Sequence, residues 1–351
     1  MAAVPTTTIA EADLTALACR ALEGLGVDPD DAARVVRILV LGDLFGHHTH
    51  GVLRLESYGE RLAIGGINPQ PLIREEQLAP ALMRIDGDNA LGPLVGMQAL
   101  EGAMRCARNF GIGLVLVRDS NHFGAISPYS YIAAGEGFAT IIGTNASVTI
   151  APTGGKEARL GNNPIAFGVP NPGGAPIILD MAVSVAARGK IRDALKRGKP
   201  IPDTWAVDRD GHPTTDPQAA LDGFLLPVGG YKGYGLSAIV DLFAGLLSGA
   251  SFLTNVVPWM EEPGKPQGLG HFFIAIDTRV LGGAEWLASR MGDFASILHG
   301  TPPAEPGQPV LLPGEKELRN LAHHRQHGVP IETSVLDKLR VFATGDRPLL
   351  S

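Results

Sequence analysis

Cysteine is nearly absent from this chain: Cys19 and Cys106 are the only two among 351 residues, and no C-x-x-C pair exists. Neither a disulfide framework nor a cysteine zinc site can be built from them, so a reduced, cytoplasmic setting is the expectation. Charged residues are sparse, 19% against roughly 25% in an average globular chain, while hydrophobic residues reach 45%. That balance excludes long disordered tails. Basic residues number 29 against 36 acidic ones, a net charge of −7 that leaves no electrostatic footprint for nucleic acid or an anionic membrane. An uninterrupted apolar run of membrane-spanning length is also missing. Gly235–Leu253 comes closest, but Asp241 breaks it, so it reads as a buried core helix. Met1–Ala10 offers neither a basic nor an apolar export region.

Several motifs are missing too. There is no Walker A loop, no G-x-S-x-G nucleophile elbow and no H-E-x-x-H zinc helix. Gly233–Ala238 formally satisfies G-x-G-x-x-A, yet a dinucleotide fingerprint needs a strand directly before it, and residues 227–232 make a poor one. The chain holds 45 glycines, so a chance match is expected.

What is present divides the chain by character. From Thr8 to about Gly66 the pattern is helical: Thr8 with Glu11 predicts a capping box, Asp28-Pro29 a second helix start, and Gly65-Gly66 a stop. Between about Ala81 and Asp277, apolar runs predict strands at Leu82–Arg84, Gly113–Arg118, Ala139–Thr144, Ile165–Val169, Ile177–Asp180 and His271–Asp277. Helices are predicted among them near Pro93–Asn109, Ser130–Glu136 and Leu236–Leu247. Lys196–Pro217, polar and punctuated by proline, reads as a surface excursion with no core signal. Helices return at Ala284–Leu298, Lys316–His327 and Val335–Phe342, and this tail is expected to pack on the N-terminal helices. The expectation is an α/β (α+β) protein: a helical domain from residues 1–75 with 280–351, and a sheet domain over 76–279.

Four polar clusters sit in glycine-rich turns. In Gly46-His-His-Thr-His-Gly51-Val-Leu-Arg54 with Tyr58, the fourfold spacing of His50, Arg54 and Tyr58 would place all three on one helical face. A guanidinium fork binds a carboxylate bidentately, and an imidazole exchanges protons near neutral pH. His47 and His48 read as solvated, because adjacent histidines rarely converge on a metal. Ser120-Asn121-His122-Phe123-Gly124-Ala125 follows a strand, where His122 is either a proton-transfer group or an ordinary loop histidine. Turns at Thr144-Asn145-Ala146, 151–155, 160–164 and Leu179-Asp180-Met181-Ala182 are of the kind that frames a cleft or simply turns the chain. In residues 229–235, Lys232 among glycines precedes a helix start, which makes either an anion site or a close packing of loop on sheet.

The ordered series Thr49-His50-Gly51-Val52-Leu53-Arg54-Leu55, Gly65-Gly66-Ile67-Asn68-Pro69, Ser120–Gly124, Leu160–Ala166, Leu179–Ala182, Gly189-Lys190-Ile191 and Gly229–Leu236 resembles the malate/L-lactate dehydrogenase family, which includes ureidoglycolate and sulfolactate dehydrogenases. Pro313-Gly314-Glu315, Arg325 and Gly328–Ile331 resemble its C-terminal signature. The resemblance implies an NAD- or NADP-dependent 2-hydroxy acid oxidoreductase with a non-Rossmann, mixed and largely antiparallel central sheet that binds the cofactor. It also implies a homodimer with the active site near the subunit interface. By position, His122, Phe123, Gly124, Ala125, Asn145, Ala146, Asp180, Met181, Ala182 and Lys232 would line the dinucleotide, and His50, Arg54 and Tyr58 would face the substrate. Two departures, Thr49 for the usual serine and Asn162 for the usual threonine, keep a hydrogen-bonding group. Lys190 stands where the family's cyclic imino-acid reductases tend to carry aspartate, which disfavours that alternative.

Hydride removal from a 2-hydroxy acid leaves a hydroxyl proton for the protein to take. His122 is the expected acid/base with His50 as competitor, Arg54 the carboxylate clamp, and Thr49 and Tyr58 the orienting groups. A catalytically silent metabolite-binding relative is the other class of reading. The joint presence of both histidines and Arg54 favours the enzyme. No metal is expected to take part.

Overall fold

The apolar runs read as strands assemble into one seven-stranded sheet in the computed structural model, which describes residues 5–345. Residues 1–4 and 346–351, the outer ends of the expected helical domain, lie outside the described residues. In spatial order the strands are Arg74–Ala79, Leu82–Asp86, Ile112–Ser120, Leu269–Asp277, Phe138–Thr144, Ile165–Val169 and Ile177–Met181. Within this sheet only Leu82–Asp86 and Ile112–Ser120 run parallel, with the helix Gly92–Phe110 between them in sequence. Every other neighbouring pair is antiparallel, the mixed and largely antiparallel sheet that was expected.

Central strands are apolar on both faces because both faces are covered. Val115, Val117, Phe273 and Ala275 join Met97, Leu100 and Met104 of the long helix in a core that extends to Leu14, Leu39 and Leu339 of the terminal helices. Leu116 and Phe272 point the other way, onto Val240 and Ala244. The helix Thr333–Ala343 packs on Glu11–Gly24 and on Arg54–Ala63, so the tail does return to the N-terminal helices.

Three local expectations fail for tertiary reasons. Thr8 does not cap a helix: it lies in the strand Thr6–Ile9, opposite Pro330 of Val329–Glu332, and the following helix starts without a side-chain cap. Glu11 instead pairs with Arg325 at 3.1 Å. The 196–217 connection is not coreless. Together with the helix Arg188–Lys196 it contributes to a small lobe whose core includes Ile150, Leu160, Ile191, Ile201, Ala206, Ala220 and Leu225. Those side chains come singly from distant segments, so no local period announces them. The run 235–253 is not fully buried: Ile239, Leu242, Leu246 and Leu247 remain exposed beside buried Val240 and Ala244. Asp28 does cap its helix, accepting from the Asp30 N–H ahead of which Pro29 takes the first position. Among the described residues no helix is long and apolar enough to cross a membrane.

Candidate active site

His50, Arg54 and Tyr58 do not share one helix. His50 ends a single 3-10 turn, His48–His50, and the α-helix begins only at Arg54. The three side chains nonetheless converge with His122, whose loop follows the strand Ile112–Ser120. The imidazole rings of His50 and His122 lie 5.5 Å apart, centre to centre. The Tyr58 hydroxyl is 2.7 Å from His122 Nδ1 and 3.0 Å from the His122 carbonyl oxygen. His122 Nδ1 is therefore engaged by protein, and Nε2 is the nitrogen left for a ligand. His50 follows the same rule, with Nδ1 held 3.0 Å from Thr49 Oγ1.

Trp259 builds the wall that sequence reading missed. Its ring stacks on His122 at 5.4 Å with an interplanar angle of 7°, and the Arg54 guanidinium lies 5.5 Å from the same ring's centre. Arg54 has no carboxylate within ion-pair distance among the described residues, and its buried Nε lacks a hydrogen-bond partner. A desolvated cation left in that state is a strong attractor for a carboxylate.

A second arginine, unremarked in the sequence, holds these pieces together. Arg61, 1% exposed, donates to the Asn121 side-chain oxygen at 2.8 Å and to the carbonyls of Gly66, Lys265 and Pro263 at 2.8, 2.9 and 3.1 Å. It thereby ties the His122 loop to the 258–267 loop that carries Trp259. Gln267 adds a link by accepting from the His122 N–H at 3.0 Å. Two glycines permit the approach: a Cβ at Gly92 would lie 2.2 Å from the Asn121 carbonyl oxygen, and one at Gly66 1.9 Å from that of Pro263. Only hydrogen side chains fit there.

Both site imidazoles are held neutral. Burial, then the Arg54 charge, pushes the His50 pKa down to about 3. The same two causes, followed by His50, hold His122 well below its ordinary value. Burial raises that of Tyr58, so its hydroxyl keeps its proton. Two neutral bases beside one unpaired cation can receive an acid and exchange a proton with its neighbouring oxygen.

The other sequence candidates make contacts of their own elsewhere in the fold. Phe123 is buried and stacks on His271 at 4.3 Å, while Ala125 is buried in the same loop. The Asn145 side chain donates to the Ser251 carbonyl and accepts from the Gly270 N–H. The Ala146 N–H donates to Asn163, which in turn donates to the Ser237 carbonyl and to Asp241 of the helix Tyr231–Asp241. Asp180 accepts from the Ile126 and Ser127 N–H groups at the start of the helix Ser127–Gly135. Met181 and Ala182 are half-buried, Met181 against the cluster of Leu116, Phe272, Val240 and Ala244. Lys232 stands exposed in the first turn of its helix, and the G-x-G-x-x-A run lies inside that helix and not at a strand end. His48 is not idle: it lies 3.0 Å from buried Asp43, which also accepts from the Val52 N–H. A separate cavity of about 800 Å³, lined by Glu11, Arg37, Tyr131 and Arg325, contains none of the converging groups.

Comparison with known proteins gives the family. The family model for malate/L-lactate dehydrogenase matches residues 9–340. The malate dehydrogenase of Pyrococcus horikoshii is 37% identical over 332 residues, covering 92% of this chain and 91% of that protein. The NAD(+) ureidoglycolate dehydrogenase of Escherichia coli is 36% identical, with 83% of each chain covered. The solved sulfolactate dehydrogenase of Methanocaldococcus jannaschii superposes with a TM-score of 0.89 at 36% identity, covering 96% of this chain and 97% of that one. An identity of this extent, carried on the same fold from end to end, means that the chain belongs to the malate/L-lactate dehydrogenase family.

Proposed function

We propose that this chain is an NAD- or NADP-dependent oxidoreductase that interconverts a small 2-hydroxy acid and its 2-oxo acid, of the malate, lactate, sulfolactate or ureidoglycolate type. The observation that carries the reading is the unpaired Arg54 guanidinium beside two neutral imidazoles. Arg54 holds the substrate carboxylate. His122, with Nδ1–H donating to the Tyr58 oxygen while the Tyr58 hydroxyl donates to the His122 carbonyl, takes the substrate's hydroxyl proton at Nε2 during oxidation and returns it during reduction. Thr49 orients His50, which contacts the substrate from the opposite edge.

A bound nicotinamide would accept or donate the hydride. The donor set suits a dinucleotide: Lys232 brings an exposed ammonium to a helix N-terminus that Gly229 and Gly230 leave open, a pairing that fits a pyrophosphate. Phe123, Gly124, Ala125, Asn145, Ala146, Asp180, Met181 and Ala182 shape the ground beneath it. The exposed stripe Ile239, Leu242, Leu246 and Leu247 supports a homodimer, and the scarcity of cysteine supports a cytoplasmic setting. The test is nicotinamide absorbance with oxaloacetate and pyruvate, each with NADH and NADPH. Turnover with at least one pair is expected, and silence from all four, extended to sulfonated and ureido acids, would overturn the reading.

A further inference from the structure

The lobe that replaced the expected surface excursion brings a second, exposed cation to the loop that walls the site. Its helix Arg188–Lys196 carries Arg192, whose Nη1 lies 3.4 Å from Met260 Sδ. Arg54 lies over Trp259, the residue before Met260. The two guanidinium groups therefore flank one dipeptide of the 258–267 loop, one from the core side and one from the lobe. Neither has a carboxylate within 4 Å among the described residues: Asp193, the acid next to Arg192, is paired with Arg197 and Glu262 with Lys265, while Glu261, the residue after Met260, acts on Arg188 of the same helix. Arg188, one turn before Arg192, is anchored by the Leu221 carbonyl.

We propose that Arg192 binds a second anionic group of the substrate, so that the site selects 2-oxo and 2-hydroxy acids carrying a distal carboxylate or sulfonate over the simple monoacids. The inference rests on the redox reading above and adds the class of substrate. Its argument is charge complementarity. With His50 and His122 neutral, the site presents two unneutralised positive charges, Arg54 and Arg192. The Arg192 charge reaches Arg54: after burial, it is the charge that lowers the Arg54 pKa, against the raising effect of Tyr58. A monoanion neutralises Arg54 and leaves Arg192, exposed on the lobe beside Met260, without an anion. A dianion of three or four carbons neutralises both.

The test compares kcat/KM for oxaloacetate and 3-sulfopyruvate with that for pyruvate in the wild type, Arg192→Gln and Arg192→Lys. Loss of one charge-assisted contact should lower the dianion-to-pyruvate ratio by about ten- to a hundredfold in Arg192→Gln, with partial recovery in Arg192→Lys. An unchanged ratio in Arg192→Gln overturns the proposal, whether both activities persist or both collapse together. Calorimetric binding of malonate against acetate to wild type and Arg192→Gln separates the two readings. If no 2-oxo acid is reduced yet malonate binding alone weakens in the variant, the redox reading fails and the assignment of Arg192 stands. If malonate and acetate respond alike, the assignment fails.

Discussion

The Tyr58 hydroxyl meets His122 twice, at Nδ1 (2.7 Å) and at the carbonyl oxygen (3.0 Å), which locks both the ring and its backbone to the helix that bears Arg54. Two contacts to one residue leave the imidazole a single outward nitrogen. His122→Asn should then lower kcat by about 10²–10⁴ with little change in dinucleotide affinity, the range of positioned acid/base catalysis. Tyr58→Phe, which frees the ring without removing it, should cost less, about tenfold in kcat. His50→Asn should act mainly on KM. Steady-state kinetics on the three variants decides between the histidines: a larger kcat loss at His50 reverses their roles.

The pH profile follows from the neutral state of His122. Oxidation needs the unprotonated imidazole, and burial together with Arg54 holds its pKa below the ordinary 6.5. The acid limb of kcat/KM for oxidation should therefore fall below pH 6.5, whereas reduction, which needs the proton, should lose about tenfold per pH unit above that limb. Arg54→Gln removes the second of the causes and should move the limb upward in whatever activity remains. A limb at or above 6.5 in the wild type would contradict the assignment.

Arg54→Lys probes the clamp. One ammonium cannot reproduce a planar two-pronged contact, and charge-assisted hydrogen bonds contribute about 1.5–3 kcal/mol each, so KM for the acid should rise by about ten- to a hundredfold while cofactor binding is retained. An unchanged KM would remove Arg54 from that role.

Much of this site was legible because its polar residues lie in short turns: His50, Arg54 and His122 stand out in glycine-rich sequence, and the strands ahead of the turns declare themselves by apolar runs. What could not be read is what arrives from elsewhere in the chain. Trp259 sits in an irregular loop with no periodic pattern, and it takes the Arg61 contacts to Pro263 and Lys265 and the Gln267 contact to the His122 N–H to bring that loop over His122. Arg61 itself looks like a solvated helical arginine until Gly66 and Asn121 close over it. Thr8 shows the converse failure: a local capping rule lost to a strand partner more than 300 residues away. His271 reads as one more strand residue, yet it is buried between Thr144 (2.7 Å) and Ser120 (2.8 Å) with both nitrogens engaged.

That burial makes His271 a source of acid sensitivity. Its pKa is pushed down to about 3 by burial, so the unfolded chain binds a proton that the folded chain refuses between that value and the ordinary 6.5. Stability from this group is present above pH 6.5 and declines as pH falls through that window, by about 1.4 kcal/mol per pH unit. His50 and His122 act in the same direction. Denaturant midpoints measured from pH 7 to pH 5 should drop, and His271→Gln should flatten the slope; an unaltered slope would exclude His271 as the cause.

Arg61 offers the last test, because it separates support from chemistry. Its four acceptors are three carbonyls and an amide oxygen, and it touches none of the groups proposed to meet the substrate. Truncation leaves those acceptors buried without a donor, each at about 1–3 kcal/mol before relaxation. Arg61→Met should destabilise the fold by about 3–5 kcal/mol, visible as a lowered Tm, and should also lower kcat because the 258–267 loop loses its tie to the His122 turn. Arg61→Lys keeps the charge but reaches fewer acceptors, so it should recover part of the stability and less of the activity. If Arg61→Met instead folds with normal Tm and reduced kcat, the guanidinium acts in the chemistry directly and the supporting role assigned to it is wrong.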